Sequence, residues 1–276
     1  MTFDRNHSAS FAALAASLWG HRALILRMIR REVIGRYRGS ILGLAWSFFH
    51  PLLMLAVYTF VFSVVFKARW GVGTEESRLQ FALVLFAGLI IYNLFAETAN
   101  RAPYLILQNV NFVKKVLFPL EILPVVAIGT ALFQGLVSLI VLLLAVLLVN
   151  GAVSWTAVLC PLVLLPIVVA TLGFAWVLAS LGVYLRDVGQ IIGIVTTIML
   201  FVSPIFYPVS ALPEAFRPWL LLNPLTFVIE QARAVLIWGE LPHWRGLLLY
   251  SAVAVAAAWA GFAWFQKTRK GFADVL

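Results

Sequence analysis

The chain has 276 residues, of which 63% are hydrophobic and only 11% are charged. Soluble domains carry about 25% charged residues, so this composition excludes a soluble globular domain and predicts an integral membrane protein. The formal charge of +9 comes from basic residues that flank apolar runs, which indicates membrane topology rather than a nucleic-acid partner. The single cysteine, Cys160, excludes an internal disulfide, and no zinc site is expected around it.

The first distinctive segment is a basic stretch from about residue 17 to residue 40. Its apolar residues Ile25, Ile29 and Val33 recur at steps of four, which is typical of an amphipathic helix lying in the membrane interface with its apolar face down. A positively charged flank that only fixes the topology explains the same residues equally well. Both interpretations place this segment at a cytoplasmic surface.

Six apolar runs predict an all-α membrane protein with six transmembrane helices, because about 20 apolar residues cross the hydrocarbon core. The first run has no ionisable side chain except His50, which we interpret as a satisfied polar residue beside a kink at Pro51. Segment 212–238 is interrupted by Asn223-Pro224 and is too short in apolar length to cross, so it is predicted to be re-entrant. The predicted spans cover about residues 41–66, 79–96, 122–149, 156–184, 188–207 and 246–265.

The distribution of basic residues predicts the orientation of these spans. Six spans place both termini on one side, and 14 of the 20 Lys and Arg residues fall on that side. Both termini are therefore predicted to be cytoplasmic. Residues 100–118 lie on the same side and are too polar to span and too apolar for a plain linker, so a short docked helix is expected there.

The chain lacks the residue patterns of an enzyme or of an ion-coupled carrier. No Gly-rich stretch leads to Lys-Ser or Lys-Thr, so a P-loop is excluded, and the four histidines are scattered without metal-ligand spacing. Glu97, Glu121, Arg186 and Asp187 fall at predicted span ends, which disfavours a proton- or sodium-coupled mechanism. We expect no catalytic residue, no metal and no cofactor in this chain.

Several ordered motifs resemble the ABC-2 type permeases of ATP-binding-cassette polysaccharide exporters. Residues 31–46 read Arg-Glu-Val-Ile-Gly-Arg-Tyr-Arg-Gly-Ser-Ile-Leu-Gly-Leu-Ala-Trp and are followed by Pro51-Leu52, as in that family. The family often has Asp where Glu32 stands and usually has Arg where Leu120 stands, so one salt bridge of the family is not expected here. The other matching segments are 114–124, 183–188, 203–208, 212–214, 222–226 and 272–276.

The resemblance covers roughly residues 25–276 and implies a subunit that exports O-antigen, capsular polysaccharide or teichoic acid across the bacterial inner membrane. It implies a homodimer that binds two copies of a separate soluble P-loop ATPase, and this partner holds ATP and Mg²⁺. The chain itself is then not an enzyme. The implied substrate is a lipid-linked polysaccharide; contacts with membrane lipids are expected, and a periplasmic export partner is a further candidate.

The resemblance also turns two cytoplasmic elements into predicted contacts with the ATPase. Segment 100–118 is the predicted coupling helix, and an interfacial helix that only seats the third span is the alternative. The second element is the short turn at Arg186-Asp187. The predicted coupling residues are Asn100, Arg101, Tyr104, Gln108, Asn109, Lys114, Lys115, Arg186 and Asp187.

Two further residue sets are predicted to contact the substrate. Arg31, Arg36, Tyr37 and Arg38 are predicted to meet its pyrophosphate, because guanidinium groups match phosphate geometry; a basic flank that only fixes topology is the alternative. Aromatic side chains are predicted to line the translocation path, since their faces offer apolar contact to sugar rings, although packing and interfacial belts explain them as well. These path residues are Trp46, Phe49, Tyr58, Tyr92, Phe206 and Tyr207.

Two other functions stay open at this point. An ABC-2 exporter of a small lipid or drug would share the six spans and the dependence on an ATPase. A membrane-embedded glycosyltransferase or polymerase would need acidic catalytic residues near the surface, and Glu97, Glu121 and Asp187 have no metal-type partner spacing.

Overall fold

The computed structural model of the protein describes residues 10–65, 78–113 and 118–276. Within these ranges every regular element is helical and no strand occurs, which confirms the predicted all-α class. The α-helices are α1 (Phe11–Gly20), α2 (Arg22–Arg36), α3 (Trp46–Tyr58), α4 (Arg78–Arg101), α5 (Val110–Val113), α6 (Ile122–Asn150), α7 (Cys160–Tyr184), α8 (Val188–Val202), α9 (Arg217–Leu221), α10 (Pro224–Arg233), α11 (Trp244–Thr268) and α12 (Phe272–Val275).

Five helical stretches in the described part of the chain are long and apolar enough to cross a membrane. They coincide with the predicted spans one to four and six. Two consecutive helical pieces, Glu214–Leu220 and Pro224–Trp238, are bent by 96° and make a sixth candidate if they count as one span. The five stretches are Gly43–Phe62, Leu79–Tyr104, Ile122–Asn150, Trp155–Tyr184 and Trp244–Val275.

The helix predicted as the fifth span is shorter than expected. α8 has 15 residues, which at 1.5 Å per residue is about 22 Å and less than the roughly 30 Å of a hydrocarbon core. It ends at Val202 because the next residue, Ser203, is extended, with φ −72° and ψ 148°. Ser203 precedes Pro204, and the proline ring disfavours a helical conformation of the residue before it.

α4 is the central helix of the bundle. In the Leu79–Tyr104 stretch that contains it, 78% of the most apolar window is buried in the protein, against 17–33% for the other four stretches. α6, α7, α8 and α10 all pack around it. A helix that is apolar on all sides fits such a central position. Its C-terminal end, which is more polar, is held by its neighbours rather than by solvent.

The basic N-terminal segment forms two helices with a break at His21, instead of one continuous helix. The predicted apolar face of α2 points into the bundle: Ile25 and Val33 are buried. Ile29 packs directly on Gly129 of α6, where a Cβ atom would come within 2.3 Å of Ile29 Cδ1. α2 is therefore fastened to α6.

The segment predicted as a docked helix is a series of short turns. Two 3-10 turns precede the one-turn helix α5. The segment lies directly on α7, because a Cβ atom at Gly182 would come within 2.1 Å of the Pro103 carbonyl oxygen. The segment therefore packs against the protein, as expected of a docked element, although the sequence did not indicate α7 as its partner and the described conformation is not a single helix.

α7 and α11 pack with their backbones in direct contact. A Cβ atom at Gly173 would lie 2.5 Å from Ala258 Cα, and one at Gly261 would lie 2.1 Å from the Gly173 carbonyl oxygen. Small residues allow such an approach of two backbones, as is common between membrane helices.

Candidate functional site

A cavity of about 750 Å³ opens between the end of α2 and the helices α3, α4 and α6. On α4, Asn93, Glu97 and Asn100 follow one another at steps of four and three residues, so they lie on one helix face that borders the cavity. On α6, Gln134 and Ser138 border it in the same way. The cavity therefore gathers polar side chains within a bundle that is otherwise apolar.

Four charged side chains form what we call the cavity cluster: Arg36 and Glu97 border the cavity, and Arg101 and Glu32 continue the chain of ion pairs behind them. Arg36 Nη2 donates a hydrogen bond to Glu97 Oε1, and Arg101 Nη2 donates one to Glu32 Oε2 over 2.5 Å. Thr130 Oγ1 of α6 also donates to Glu32 Oε2, over 3.2 Å. These charge-assisted bonds connect α2 with both α4 and α6.

One buried nitrogen of the cavity cluster is without a hydrogen bond. Within the described residues, Arg101 Nη1 is buried and has no hydrogen-bond partner, although it lies 4.0 Å from Glu97 Oε1. That distance exceeds the range of about 2.7–3.2 Å for an N–H···O hydrogen bond. Glu97 is bonded to Arg36 instead.

The Arg36 guanidinium is a permanent cation at the edge of the cavity. Its partial burial opposes the charged form, but the hydrogen bond and the negative charge of Glu97 outweigh this and raise the pKa of Arg36. The Arg36 side chain is 37% exposed. It therefore carries a positive charge at a place that a molecule in the cavity can reach.

The predicted phosphate-binding residues are only partly brought together. Arg36 and Tyr37 border the cavity, whereas Arg31 and Arg38 are exposed and do not border it. The Tyr37 hydroxyl donates to Gln134 Oε1 over 2.9 Å, which links the end of α2 to α6. The structure thus places one of the three predicted arginines at the cavity.

Only some of the predicted path residues border the cavity as well. Trp46, Tyr58 and Tyr92 border the cavity, and the Tyr92 hydroxyl donates to the Thr196 carbonyl of α8 over 3.0 Å. Phe49 is not among the residues that border the cavity and is 41% exposed.

The remaining two path residues lie elsewhere, after the end of α8. Phe206 stacks on Phe62 and on Phe201, with ring centroids 5.7 Å and 5.9 Å apart. The Tyr207 hydroxyl donates to the carbonyl oxygens of Phe201 and Val202, over 3.0 Å and 2.9 Å. Both residues therefore fasten the segment that follows α8.

Two predicted coupling residues at the end of α4 have partners within the chain. Asn100 Oδ1 accepts from Thr196 Oγ1 over 3.2 Å, and Arg101 belongs to the cavity cluster. The physical reason is that α4 continues to Arg101, five residues past the predicted end of the span, so these side chains still face other helices.

The other coupling residues lie nearer to the surface. Tyr104 is 37% exposed and touches the start of α8, because a Cβ atom at Gly189 would come within 2.0 Å of its hydroxyl. The segment and the turn at Arg186-Asp187 are therefore neighbours, and both residues of the turn are exposed. Gln108 is exposed, and Asn109 Nδ2 donates to the Leu105 carbonyl over 2.8 Å. Lys114 and Lys115 lie outside the described residues.

A second charged cluster, Glu121 with Arg269, holds the end of this segment. The buried Glu121 carboxylate accepts from Arg269 Nη1 over 2.7 Å and from Ser17 Oγ over 2.8 Å. Arg269 Nη2 donates to the Phe118 carbonyl over 2.9 Å. The cluster thereby joins α1, the start of α6 and the end of α11.

Sequence reasoning missed several residues of the site. Glu97 was interpreted only as the end of a span, and Asn93 and Gln134 were not singled out. His50, interpreted as a satisfied residue beside a kink, borders the cavity. The Glu97–Arg101 spacing of four residues is the one signal in the sequence that could have indicated a charged helix face.

No group of three or more metal-ligating side chains occurs in the part of the chain that the structure describes. The cavity offers the Arg36 cation paired with the Glu97 carboxylate, amide and hydroxyl groups, and aromatic faces. Such a set can bind an anionic or polyhydroxylated molecule by hydrogen bonds and ring contacts.

The fold and the cavity together define a multi-pass helical membrane protein with a polar cavity beside its central helix. The model of the ABC-2 type transporter family matches residues 23–237. The chain belongs to this family, which confirms the resemblance found in its motifs.

Individual relatives extend the similarity over nearly the whole chain. The O-antigen export system permease protein RfbA of Myxococcus xanthus is 30% identical over 95% of this chain and 99% of its own length. A protein of the same name from Klebsiella pneumoniae is 25% identical over 92% of this chain and 95% of its own. The polysialic acid transport protein KpsM of Escherichia coli is 23% identical, over 88% of this chain and 91% of its own.

Proposed function

We propose that this chain is the transmembrane permease subunit of an ABC exporter that moves a lipid-linked polysaccharide, an O-antigen or a capsule, across the bacterial inner membrane. The family and the similarity to export permeases for O-antigen and polysialic acid support this proposal. The observation in the structure that carries it is the cavity, which joins Arg36 to Trp46, Tyr58 and Tyr92.

The chemistry of the cavity suits such a substrate. A guanidinium group near the membrane interface attracts the phosphate groups of a carrier lipid. Aromatic faces and the amides of Asn93 and Gln134 suit sugar rings, which present apolar faces and many hydroxyl groups. In this proposal Arg36 and Tyr37 meet the phosphate end, and Trp46 and Tyr58 contact the first sugars.

The energy is proposed to come from a separate soluble ABC ATPase. The sequence contains no P-loop, so ATP and Mg²⁺ are assigned to that partner, present in two copies below a homodimer of this chain. Segment 100–118 and the Arg186-Asp187 turn are the proposed contacts, and their adjacency through Tyr104 and Gly189 supports a joint coupling surface. A periplasmic partner would receive the polymer.

The proposed topology has both termini in the cytoplasm. It follows from the excess of Lys and Arg in the segments that share a side with the termini. α8 then serves as a short fifth span, and the bent pair of helices before α11 lies as a re-entrant segment on the periplasmic side. A short span of this kind is accommodated by local thinning of the bilayer.

The proposal is tested by purifying the tagged chain from its host membranes together with its ATPase, and by measuring glycan export in cells. We expect a P-loop ATPase to copurify, and we expect an inactivating change of its P-loop lysine to leave long lipid-linked glycans inside the cell. A chain that purifies alone and turns over sugar donors would instead establish a glycosyltransferase or polymerase. Normal glycan export with loss of drug or lipid efflux would establish the small-molecule exporter.

The cavity itself is tested by removing aromatic rings from α3. Trp46→Ala and Tyr58→Ala are each expected to lower the export rate by about tenfold, because a lost ring contact with a sugar costs of the order of 1 kcal/mol or more per stacked unit. Phe49→Ala, which removes a ring of the same helix outside the cavity, is the matched control and is expected to export normally. Equal losses in all three variants would show that the effect does not depend on the cavity and would contradict its role in the path.

A further inference from the structure

We propose that Glu97 occupies, in the present state, the anion site of Arg36, and that a phosphate group of the substrate lipid displaces Glu97 onto the free nitrogen of Arg101. The inference rests on the proposed function in its choice of ligand. It adds an exchange of ion pairs within the cavity cluster that makes Glu97 and Arg101 part of substrate recognition.

Glu97 lies where an anionic ligand of Arg36 would bind. Its carboxylate accepts a hydrogen bond from Arg36 Nη2 at the edge of the cavity, so an oxyanion already lies on the guanidinium. A phosphate oxygen makes the same charge-assisted bond with the same geometry. A ligand phosphate and Glu97 therefore compete for Arg36.

Arg101 is the place to which Glu97 can go. Arg101 Nη1 is buried, has no hydrogen-bond partner in the part of the chain that the structure describes, and lies 4.0 Å from Glu97 Oε1. A movement of about 1 Å would bring this pair to ordinary hydrogen-bond distance. Arg101 keeps its bond to Glu32 through its other terminal nitrogen, Nη2, so the guanidinium can hold both carboxylates.

Charge balance favours the exchange. Glu32, Arg36, Glu97 and Arg101 sum to zero, so adding a phosphate without releasing a carboxylate would leave Arg36 shared between two anions. Moving Glu97 onto Arg101 removes this conflict and satisfies a buried donor that is otherwise costly. Exposed arginines of the same basic segment, Arg31 and Arg38, add positive potential around the arriving lipid.

The exchange also changes the connection between helices. In the present state the Arg36–Glu97 bond ties the end of α2 to α4. After the exchange α2 would be tied to the lipid phosphate, and α4 would hold Glu97 and Arg101 together on its own surface. Occupancy of the cavity would thereby remove one of the two ion pairs between α2 and α4, while the Arg101–Glu32 pair remains.

The test measures binding of a polyprenyl diphosphate to the full-length chain in phosphatidylcholine nanodiscs, without ATPase and without transport. Removing the competing carboxylate in Glu97→Gln should tighten binding by about threefold, a factor typical of a partly exposed ion pair. Arg36→Gln should weaken binding by about tenfold, since it removes the charge-assisted bond to phosphate. The matched control Arg27→Gln, an exposed arginine of the same helix, should stay within about twofold.

A double-variant cycle tests the role of Arg101. Lysine at this position can pair with Glu32 but offers no second nitrogen to Glu97, so Arg101→Lys should weaken binding by about threefold in the otherwise unchanged chain. In the Glu97→Gln background the same change should have no effect, because no carboxylate needs to be received. Additive effects of the two substitutions would overturn the exchange.

The remaining outcomes separate the sources of the anion and the two proposals. Equal binding of polyprenol would overturn the role of phosphate, and equal binding of inorganic pyrophosphate or phosphatidylglycerol would overturn the assignment to a carrier lipid. If Glu97→Gln weakens binding as Arg36→Gln does, the pair is a structural tie and the exchange is wrong. Because no transport is measured, a failure of export in cells leaves these binding results intact.

Discussion

Arg233 in α10 and Arg101 in α4 both bury guanidinium nitrogens, but they use them differently. Arg233 is 0% exposed and donates hydrogen bonds to the carbonyl oxygens of Val84, Pro204 and Ile205, and to Glu230. Arg101 has one bonded terminal nitrogen and one buried nitrogen without a hydrogen bond. All three guanidinium nitrogens of Arg233 donate hydrogen bonds, whereas Arg101 has a buried nitrogen that makes none to the described residues.

The surroundings of the two arginines explain this difference. The Pro204 and Ile205 carbonyls come after the end of α8, where the helix no longer supplies donors to them. The Arg233 guanidinium supplies the missing donors and fixes the segment after α8 to α4 and α10. The cavity cluster instead connects α2 with α4 and α6 beside the cavity. We therefore expect the saturated contacts to mark a rigid part of the protein and the unsaturated one to mark the part that rearranges in the proposed exchange.

The largest expected effect on stability belongs to Arg233→Met, which keeps apolar volume and removes the donors. Three carbonyl oxygens and Glu230 would lose their partner, so we expect a loss of about 3 kcal/mol or more in the free energy of unfolding. Thermal unfolding of the purified protein in detergent measures this. Arg217→Met is the control, because Arg217 is partly exposed and its described contacts, with the Ser210 and Leu212 carbonyls and with Glu214 at 3.7 Å, all lie in its own loop.

If Arg233→Met and Arg217→Met unfolded at the same temperature, the hydrogen bonds of Arg233 would not stabilise the fold more than those of Arg217 do. The contacts of Arg233 and those of the cavity cluster would then not differ in their effect on stability. Arg233→Lys refines the measurement, since a single ammonium can replace some of the donors but cannot reach all four acceptors in the geometry of a guanidinium.

The α7–α11 contact and the helices around the cavity also differ in how closely they pack, as one glycine in each region shows. Gly173→Ala would place a Cβ atom 2.5 Å from the backbone of Ala258, so α7 and α11 must separate. We expect a loss of about 1–3 kcal/mol from such overpacking. Gly135→Ala is the matched change beside the cavity, where the nearest atom is Leu94 Cδ1 at 3.8 Å.

Gly135→Ala should keep or raise the stability by up to about 1 kcal/mol, because alanine is the better helix former. The same thermal unfolding measurement applies to both variants. A large drop in the unfolding temperature of Gly135→Ala would show that the helices around the cavity are packed as closely as α7 and α11. The two regions would then not differ in packing.

Hydropathy was sufficient to predict most of the membrane helices, because a span must be apolar along its whole length whatever it packs against. The length of α8 was not predicted correctly, since the apolar run continues to Tyr207 while Pro204 ends the helix earlier. The single N-terminal helix was wrong for a similar reason: a local break at His21 leaves the apolar pattern intact.

The charged sites were harder to predict because their partners are distant in sequence. Arg36 and Glu97 are 61 residues apart, and Arg233 and Val84 are 149 residues apart. No local pattern indicates such pairs. Asn100 and Arg101 were predicted to face the ATPase, a role that stays a prediction, yet the continuation of α4 turns both toward partners in the same chain.

The smallest effect on stability is expected for Tyr37→Phe, at the end of the basic segment. It removes the hydrogen bond from the Tyr37 hydroxyl to Gln134 Oε1 but keeps the ring that borders the cavity. Single hydrogen bonds between membrane helices contribute about 0.6 kcal/mol on average, so the unfolding temperature should change little. Export should decrease but not stop, because the phosphate end loses the Tyr37 hydroxyl while the ring and the Arg36 cation beside it are unchanged. A drop in unfolding temperature as large as that of Arg233→Met would instead show that the cavity rim is part of the rigid framework, since a partly buried bond would then support as much of the fold as the buried guanidinium does.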